Sequence, residues 1–374
     1  MSDRAGPPAR RHHRPGGFQN TSIEFAGKSL ADVLRWRWNA SRHGLPPRPS
    51  APIPRVEADL EFLRGNAVAG AAMRPAVTWV GHATVLAQLG GLNMLTDPIF
   101  SKRASPVGFA GPKRHSPPGV HPDALPRIDV VLVSHNHYDH LDEASLRGLA
   151  AQPGGPPLFV APLGLGRWFA RHRIGPAVEL DWWDSLRLAD GVEAVLVPAQ
   201  HWSGRGLNDR MKTLWGGFAV LAPDCHLFFA GDTGYSRDFT DIRLRFAERQ
   251  APAAGGGFDI ALLPIGAYEP RWFMAEQHVN VEEALKIHRD LGAKRSLGVH
   301  WGTFELTDEA LDAPPQALAR LRGPAAIGAD EFFTLAIGET RRLPPRAEAP
   351  AQAAEAAPIT AAAHNPPPPR SPPR

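Results

Sequence analysis

A chain of 374 residues with one cysteine, Cys225, cannot hold an intrachain disulfide. A reducing compartment is the simplest setting, and the run Leu227-Phe228-Phe229 just downstream makes Cys225 a buried thiol rather than a nucleophile. Also lacking is any apolar run long enough to cross a bilayer. Arg10-Arg11 could open a twin-arginine signal, but His12-His13-Arg14-Pro15-Gly16-Gly17 follows it where an apolar stretch should be. The expected location is therefore the cytoplasm, free or peripheral to a membrane. Charge of one sign is scarce too: 41 Lys and Arg stand against 38 Asp and Glu. With no basic helix and no aromatic-basic RNA motif, nucleic acid is not an expected partner. Weak attraction to an anionic membrane stays open. No internal repeat is visible, and no linker divides residues 19–344.

What is present is a soluble-type composition, 43% hydrophobic and 21% charged. Residues 1–18 are basic and rich in Pro and Gly, and are expected to be a disordered tail. Residues 345–374 are Ala- and Pro-rich, ending near Pro366-Pro367-Pro368-Pro369, and read as a second disordered tail. Between them, short apolar runs alternate with turn signals. Strands are predicted over 76–80, 84–89, 93–96, 128–133, 158–161, 192–197, 218–221, 226–230, 260–263 and 295–299. Helices are predicted over 142–151, 163–172 and 281–291, with another starting at Asp308 behind Thr307 as N-cap. Many strands with helices between them suggest an α/β domain of two packed sheets flanked by helices.

The apolar strand Ile128-Asp129-Val130-Val131-Leu132-Val133 runs into Ser134-His135-Asn136-His137-Tyr138-Asp139-His140. Four ligand-type side chains within six residues, at the end of an apolar strand, point to metal rather than to a solvated loop. His135 and His137 can reach one ion, while Asp139 and His140 can turn toward a second. Two metals need more ligands than this loop holds. His201, Asp232 and His300 each stand just past another apolar run. Asp232, with two oxygens, is the natural bridge.

These residues resemble the metallo-β-lactamase superfamily. Further stretches are similar to its N-acylphosphatidylethanolamine-hydrolysing phospholipase D branch: Trp79-Val80-Gly81-His82-Ala83-Thr84, Leu95-Thr96-Asp97-Pro98, Glu179-Leu180-Asp181-Trp182-Trp183, Gly231-Asp232-Thr233-Gly234, and above all Pro264-Ile265-Gly266-Ala267-Tyr268-Glu269-Pro270-Arg271-Trp272-Phe273-Met274. The resemblance covers roughly residues 75–340. It implies an αββα sandwich with mixed sheets and a di-zinc centre, with His135, His137 and His201 on the first ion, Asp139, His140 and His300 on the second, and Asp232 between them. It implies that His278 lies by a substrate phosphate and that Tyr268, Glu269 and Arg271 belong to the same lining. Other divalent metals suit such ligands as well.

The implied reaction is hydrolysis of a phospholipid phosphodiester, releasing an N-acylethanolamine and leaving phosphatidic acid. Asp139, Asp232 and His278 are the catalytic candidates; His278 would donate to a phosphate oxygen or protonate the leaving group. His82 and Asp97 are candidate partners behind the ligands. The family's apolar membrane-docking stretch corresponds here to Leu30–Trp38, which is basic-aromatic and equally compatible with an ordinary packed helix. A homodimer is an admissible assembly. Two rival readings share the same residues: a lactonase or other ester hydrolase, and a binding protein that keeps its metals without catalysis.

Overall fold

The computed structural model describes residues 10–206 and 208–346. A short hairpin, β1 (His13–Arg14) and β2 (Gly17–Phe18), comes first, followed by helices α1 (Leu30–His43) and α2 (Leu60–Ala67). The first large sheet begins with β3 (Ala76–Gly81), β4 (Thr84–Leu89), β5 (Leu92–Thr96), β6 (Val130–Leu132), β7 (Leu158–Pro162) and β8 (Ala177–Leu180). Helices α3 (Glu143–Ala150) and α4 (Gly166–Arg171) interrupt it. The second sheet takes β9 (Ser185–Ala189), β10 (Val192–Val197), β11 (Gly217–Leu221), β12 (His226–Phe229), β13 (Ile260–Pro264), β14 (Ser296–Val299) and β15 (Phe332–Phe333). Helices α5 (Asp238–Arg245), α6 (Arg271–Met274), α7 (Val281–Asp290) and α8 (Ala313–Leu321) belong to this half. The last strand, β16 (Thr340–Arg342), returns to the first sheet beside β3. Each sheet has seven strands and mixes parallel with antiparallel pairs.

Side-chain alternation explains the layering. In β6, Val130 and Leu132 face the core between the sheets, whereas Val131 faces outward onto Leu146 and Leu149 of α3 and Phe169 of α4. Both faces are buried, so the strand reads as an unbroken apolar run rather than an alternating one. From the second sheet, Phe218, Phe229 and Leu262 complete the inner core, and α7 and α8 cover the outer face with Leu285, Ile287 and Leu318. Cys225 lies in this core, and burial pushes its thiol well above the ordinary range.

Two sequence expectations need correction. The helix expected from Asp308 starts instead at Ala313, with proline in its first turn. The reason is that Glu309 is engaged elsewhere: its carboxylate accepts the backbone N–H groups of Ala267 (2.6 Å) and Glu269 (3.0 Å). The N-terminal tail of 1–18 is also not disordered over residues 10–18. His12 and His13 each donate from Nε2 to Asp181, at 2.5 and 2.7 Å, and Arg10 pairs with the same carboxylate. Gly17 lies so close to the backbone oxygen of Met211 that a Cβ would sit 2.1 Å from it. Farther along, Asn20 brackets the backbone of His201, accepting its N–H (3.1 Å) and donating to its C=O (2.8 Å). A basic, glycine-rich segment is thus ordered by docking onto a buried carboxylate, not by a core of its own. Most of the C-terminal tail expectation lies outside the described residues, but Arg346 belongs to the domain, buried and paired with Asp259 at 2.8 Å.

Helix α1 opens with a capping box between Ser29 and Asp32 and closes on Gly44 in the left-handed conformation, at φ 61°. Trp36 turns inward, its ring centroid 4.8 Å from that of Phe273 and its Nε1–H donating to Asp308 at 2.9 Å. Leu30, Leu34 and Trp38 are 75%, 61% and 60% exposed. Their spacing places them along one stripe of the helix surface.

The N-terminal docking has a pH consequence. Burial alone would raise the Asp181 carboxyl, but the bonds from His12 and Arg10 hold it well below the usual range. A depressed carboxyl contributes stability above its unfolded value and loses that contribution as pH falls through the folded one. Asp181→Asn should therefore lower the unfolding free energy at neutral pH by about 3–5 kcal/mol, as for a broken buried ion pair. It should also flatten the loss of stability below pH ~4. Urea titrations at several pH values measure both.

Candidate metal centre

Strands that carry ligand-type residues all deliver them from their C-terminal ends. β5 is parallel to β6, and β12 to β13 and β14. β3 and β10 each reach that direction through two antiparallel steps. Asp97 therefore follows β5, the loop 134–140 follows β6, His201 follows β10, Asp232 follows β12 and His300 follows β14, all at one edge of the sandwich. Three of these strand ends turn through a residue other than glycine with positive φ: His82 (57°), Asp97 (33°) and His300 (63°). This backbone costs about 1–3 kcal/mol per residue and aims each side chain into the site. Two glycines permit the close approach of the loops. A Cβ on Gly231 would lie 2.6 Å from that of Ser134, and one on Gly266 would lie 2.2 Å from the backbone oxygen of His300.

Two donor sets meet at Asp232. In the first, His137 Nδ1 lies 2.8 Å from His135 Nε2 and 3.2 Å from His201 Nε2. Asp232 Oδ2 lies 3.8 Å from His135 Nε2 and 3.9 Å from His201 Nε2. In the second, His140 Nε2 is 3.2 Å from His300 Nε2 and 3.3 Å from Asp139 Oδ2. Asp232 reaches this set as well, with Oδ2 at 3.0 Å from His140 and Oδ1 at 3.2 Å from His300. The structure thus brings together all seven expected ligands, and His82 joins the second set, 3.0 Å from Asp139 Oδ2.

The residues fit a divalent cation. Ser134 donates its hydroxyl to Asp97 (2.5 Å), which leaves its oxygen to accept from His135 Nδ1–H (2.9 Å). His140 Nδ1–H donates to Asp97 (2.6 Å), and His201 Nδ1–H donates to the Gln277 carbonyl (2.9 Å). Once Nδ1 carries the proton in a neutral ring, Nε2 presents a lone pair. Lone pairs of several imidazoles then converge, which is repulsive unless a cation lies among them. Tetrahedral ligands at about 2.0–2.1 Å from a metal stand about 3.3 Å apart, close to these separations. Asp232 Oδ1 is buried without a hydrogen-bonded partner, as a ligand oxygen would be. By contrast, His12, His13 and Asp181 are also close enough to hold an ion. There, Arg10 shares the carboxylate and the hydrogen bonds satisfy it, so that cluster is a docking latch.

Charge follows the same division. Burial pushes His135 and His137 well below the ordinary imidazole value, and His201 to about 4. Burial would also lower His140 and His300, but Asp232 and Asp139 outweigh it, raising His140 well above its usual value and His300 to about 9. Burial would raise Asp232, yet His140 and His300 hold it far below the usual range. A cation held here would compete with the protons of His140 and His300.

The expected substrate contacts separate into two kinds. His278 Nδ1 is buried without a partner, 3.9 Å from Asp232 Oδ2, and desolvation pushes the ring to about 3. Tyr268, ten residues earlier in the chain, is half-buried against the core. Glu269 and Arg271 instead hold the loop together. Arg271 donates to the His278 carbonyl (2.8 Å) and to Glu283 (2.7 Å), and Glu269 accepts the N–H of Arg271 (3.0 Å). Sequence reasoning missed Glu309, which ties down residues 267–269, and Asn20 on His201. Neither lies in an apolar periodicity or a ligand spacing, so no local signal marks them.

Two results are expected from metal titration. Apparent affinity should rise with pH up to about 9, because a proton on His300 competes below that value and the raised His140 competes in the same direction. Asp97→Asn should weaken metal binding about 10–100-fold, the usual cost of losing a group that orients a ligand. Chelator competition across a pH series reads both.

Comparison with known proteins agrees with this geometry. The profile of the Beta-lactamase superfamily domain matches residues 92–301. An N-acyl-phosphatidylethanolamine-hydrolyzing phospholipase D of Caenorhabditis elegans is 39% identical over 273 residues, 70% of this chain and 74% of the worm protein. The mitochondrial enzyme of that name from Saccharomyces cerevisiae is 39% identical over 65% of this chain and 51% of its own length. An uncharacterized protein of Mycobacterium tuberculosis is 38% identical over 84% of this chain and 81% of its own. Among solved structures, a possible metal-dependent hydrolase of Veillonella parvula superposes with a TM-score of 0.56 at 15% identity, covering 72% of this chain and 100% of that one. With the fold, the ligand set and the long shared stretches in agreement, the chain is a metal-binding hydrolase of the metallo-β-lactamase superfamily and belongs to its N-acylphosphatidylethanolamine-hydrolysing phospholipase D branch.

Proposed function

We propose that the centre holds two zinc ions and that the protein is a phosphodiesterase of phospholipase D type, acting on N-acylphosphatidylethanolamine-like lipids. The observation that carries the reading is His278. A buried, unpartnered ring nitrogen faces the shared carboxylate, on a loop anchored by the branch-specific stretch 264–274. The imidazole-rich donor set favours zinc over the harder magnesium or calcium. When bound, two such ions lower the pKa of water and offset the charge of a phosphodiester.

The chain's own residues then act as follows. His278, kept neutral by burial, donates Nδ1–H to a phosphate oxygen rather than resting as a charged acid. Tyr268 forms the wall beside it. Asp139, fixed by His82 at 3.0 Å, orients water for attack on phosphorus and accepts its proton. The P–O bond to the ethanolamine oxygen breaks, that oxygen takes up a proton, and phosphatidic acid and N-acylethanolamine leave. Asp232 keeps the two donor sets in register throughout.

The lipid surface also has a candidate contact. The exposed stripe Leu30, Leu34 and Trp38 shares α1 with Arg35, Arg37 and Arg42, a pairing of apolar and basic groups suited to an anionic interface. No helix among the described residues is long and apolar enough to cross a membrane. The buried thiol of Cys225 fits a reducing cytoplasmic setting.

The test is metal analysis of purified protein together with a substrate panel. Two zinc equivalents and release of N-acylethanolamine from vesicles are expected. Asp232→Asn should lower that rate by about 100-fold or more, since it weakens both donor sets. Turnover of lactones without any phosphodiester would overturn the reading, as would metal binding with no hydrolysis of either. Leu34→Ser with Trp38→Ser should raise KM on anionic vesicles while leaving kcat on a soluble short-chain substrate unchanged.

A further inference from the structure

Arg205 belongs to none of the residue sets considered so far, yet it touches the metal-binding turn from beneath. Its Nη1 donates to the carbonyls of Asn136 (2.8 Å) and Leu141 (2.8 Å), with that of His137 at 3.5 Å. Those carbonyls bracket the turn that presents His137, Asp139 and His140. The guanidinium carbon also lies 3.9 Å from the centroid of the Tyr138 ring and 5.3 Å from that of Trp168. Contact is reciprocal: Tyr138 donates its hydroxyl to the Arg205 carbonyl (2.9 Å), and Asn136 Oδ1 accepts the N–H of Gly204 (2.7 Å). Asp209 fixes the other end, accepting the Arg205 N–H at 3.0 Å from each of its oxygens.

Arg205 is four residues beyond His201, which supplies the remaining nitrogen of the first donor set. One guanidinium nitrogen, with the flat face of its group on Tyr138, therefore joins the loop after β6 to the loop after β10. A lysine ammonium could reach these carbonyls from one nitrogen but lacks the flat face that stacks on Tyr138 and Trp168. Among the described residues no carboxylate lies within ion-pair distance of this guanidinium, so carbonyl dipoles and aromatic faces compensate its charge. A cation beneath a cation-binding turn adds no Coulombic attraction for metal, which leaves geometry as its contribution.

We propose that Arg205 is a positioning residue of the metal centre, setting the shape of the turn 136–141 against the loop that carries His201. It touches no metal or substrate and acts through backbone carbonyls. The inference rests on the metal reading of the centre.

The experiment uses full-length protein loaded with cobalt(II), whose visible spectrum reports ligand geometry. Four forms are compared: wild type, Arg205→Met, Arg205→Lys and Arg205→Ala. Melting is measured with chelator present, and metal release is followed by chelator capture. Arg205→Met should release at least one metal equivalent about 10–100-fold faster, on the scale seen for groups that orient ligands. Its cobalt spectrum should also shift, and Arg205→Lys should fall between it and wild type. If Arg205→Met does not fold, Arg205→Lys carries the test, and added guanidinium should restore slow release to Arg205→Ala. Unchanged spectra and release rates, with only a lowered chelated melting temperature, would overturn the proposal in favour of a merely structural role. Failure of wild type to bind cobalt would instead overturn the metal reading itself.

Discussion

Everything at the active edge depends on keeping one carboxylate, Asp232, charged and buried between two groups of imidazoles. It is 4% exposed, and its oxygens approach His140 and His300 within 3.0 and 3.2 Å. Such a group is tolerable only with compensating charge at close range. That requirement reaches far into the fold. Ligands must arrive from β6, β10, β12 and β14, which lie in two different sheets. They can do so because these strands share a direction within each sheet and the sheets end at the same edge. The core between the sheets, from Trp79 to Phe229, is the rigid body that keeps those ends in place.

Much of this was legible in the chain, for a definite physical reason. A strand buried on both faces is an unbroken apolar run, so a polar residue just past it stands out. His135, His201, Asp232 and His300 were found in that way. The strand ends expected at 80, 89, 96 and 197 agree with the structure to within a residue. Edge strands were harder. β8 and β9 are only partly buried, and Glu179 and Arg187 interrupt their apolar pattern, so neither was expected. The helix placed at Asp308 shows a different failure. Thr307 and its acidic successors look like a cap, but Glu309 is drawn into holding the loop at 267–269, and the helix waits for Pro314 and Pro315.

The ends of the chain were read least well. Arg10, His12 and His13 have the composition of a solvated tail, and composition cannot reveal that Asp181 waits, buried, some 170 positions away. Long-range docking onto a single carboxylate leaves no periodic trace. The same holds for Asn20, which reaches His201 across the chain, and for Arg346, which closes on Asp259. These ties place the N-terminal segment against a ligand-bearing loop, so the sandwich and its centre share one set of supports.

His82, Asp97 and His300 sit in the backbone conformation that glycine tolerates best. Three of the strained points among the described residues therefore carry side chains that the centre needs. Drift toward glycine at any of the three would relax the backbone and disarm the centre in the same step. Selection for heat resistance alone would therefore work against this edge, and stability gained there would come at the expense of the chemistry. Only continued use of the chemistry keeps these three residues in place.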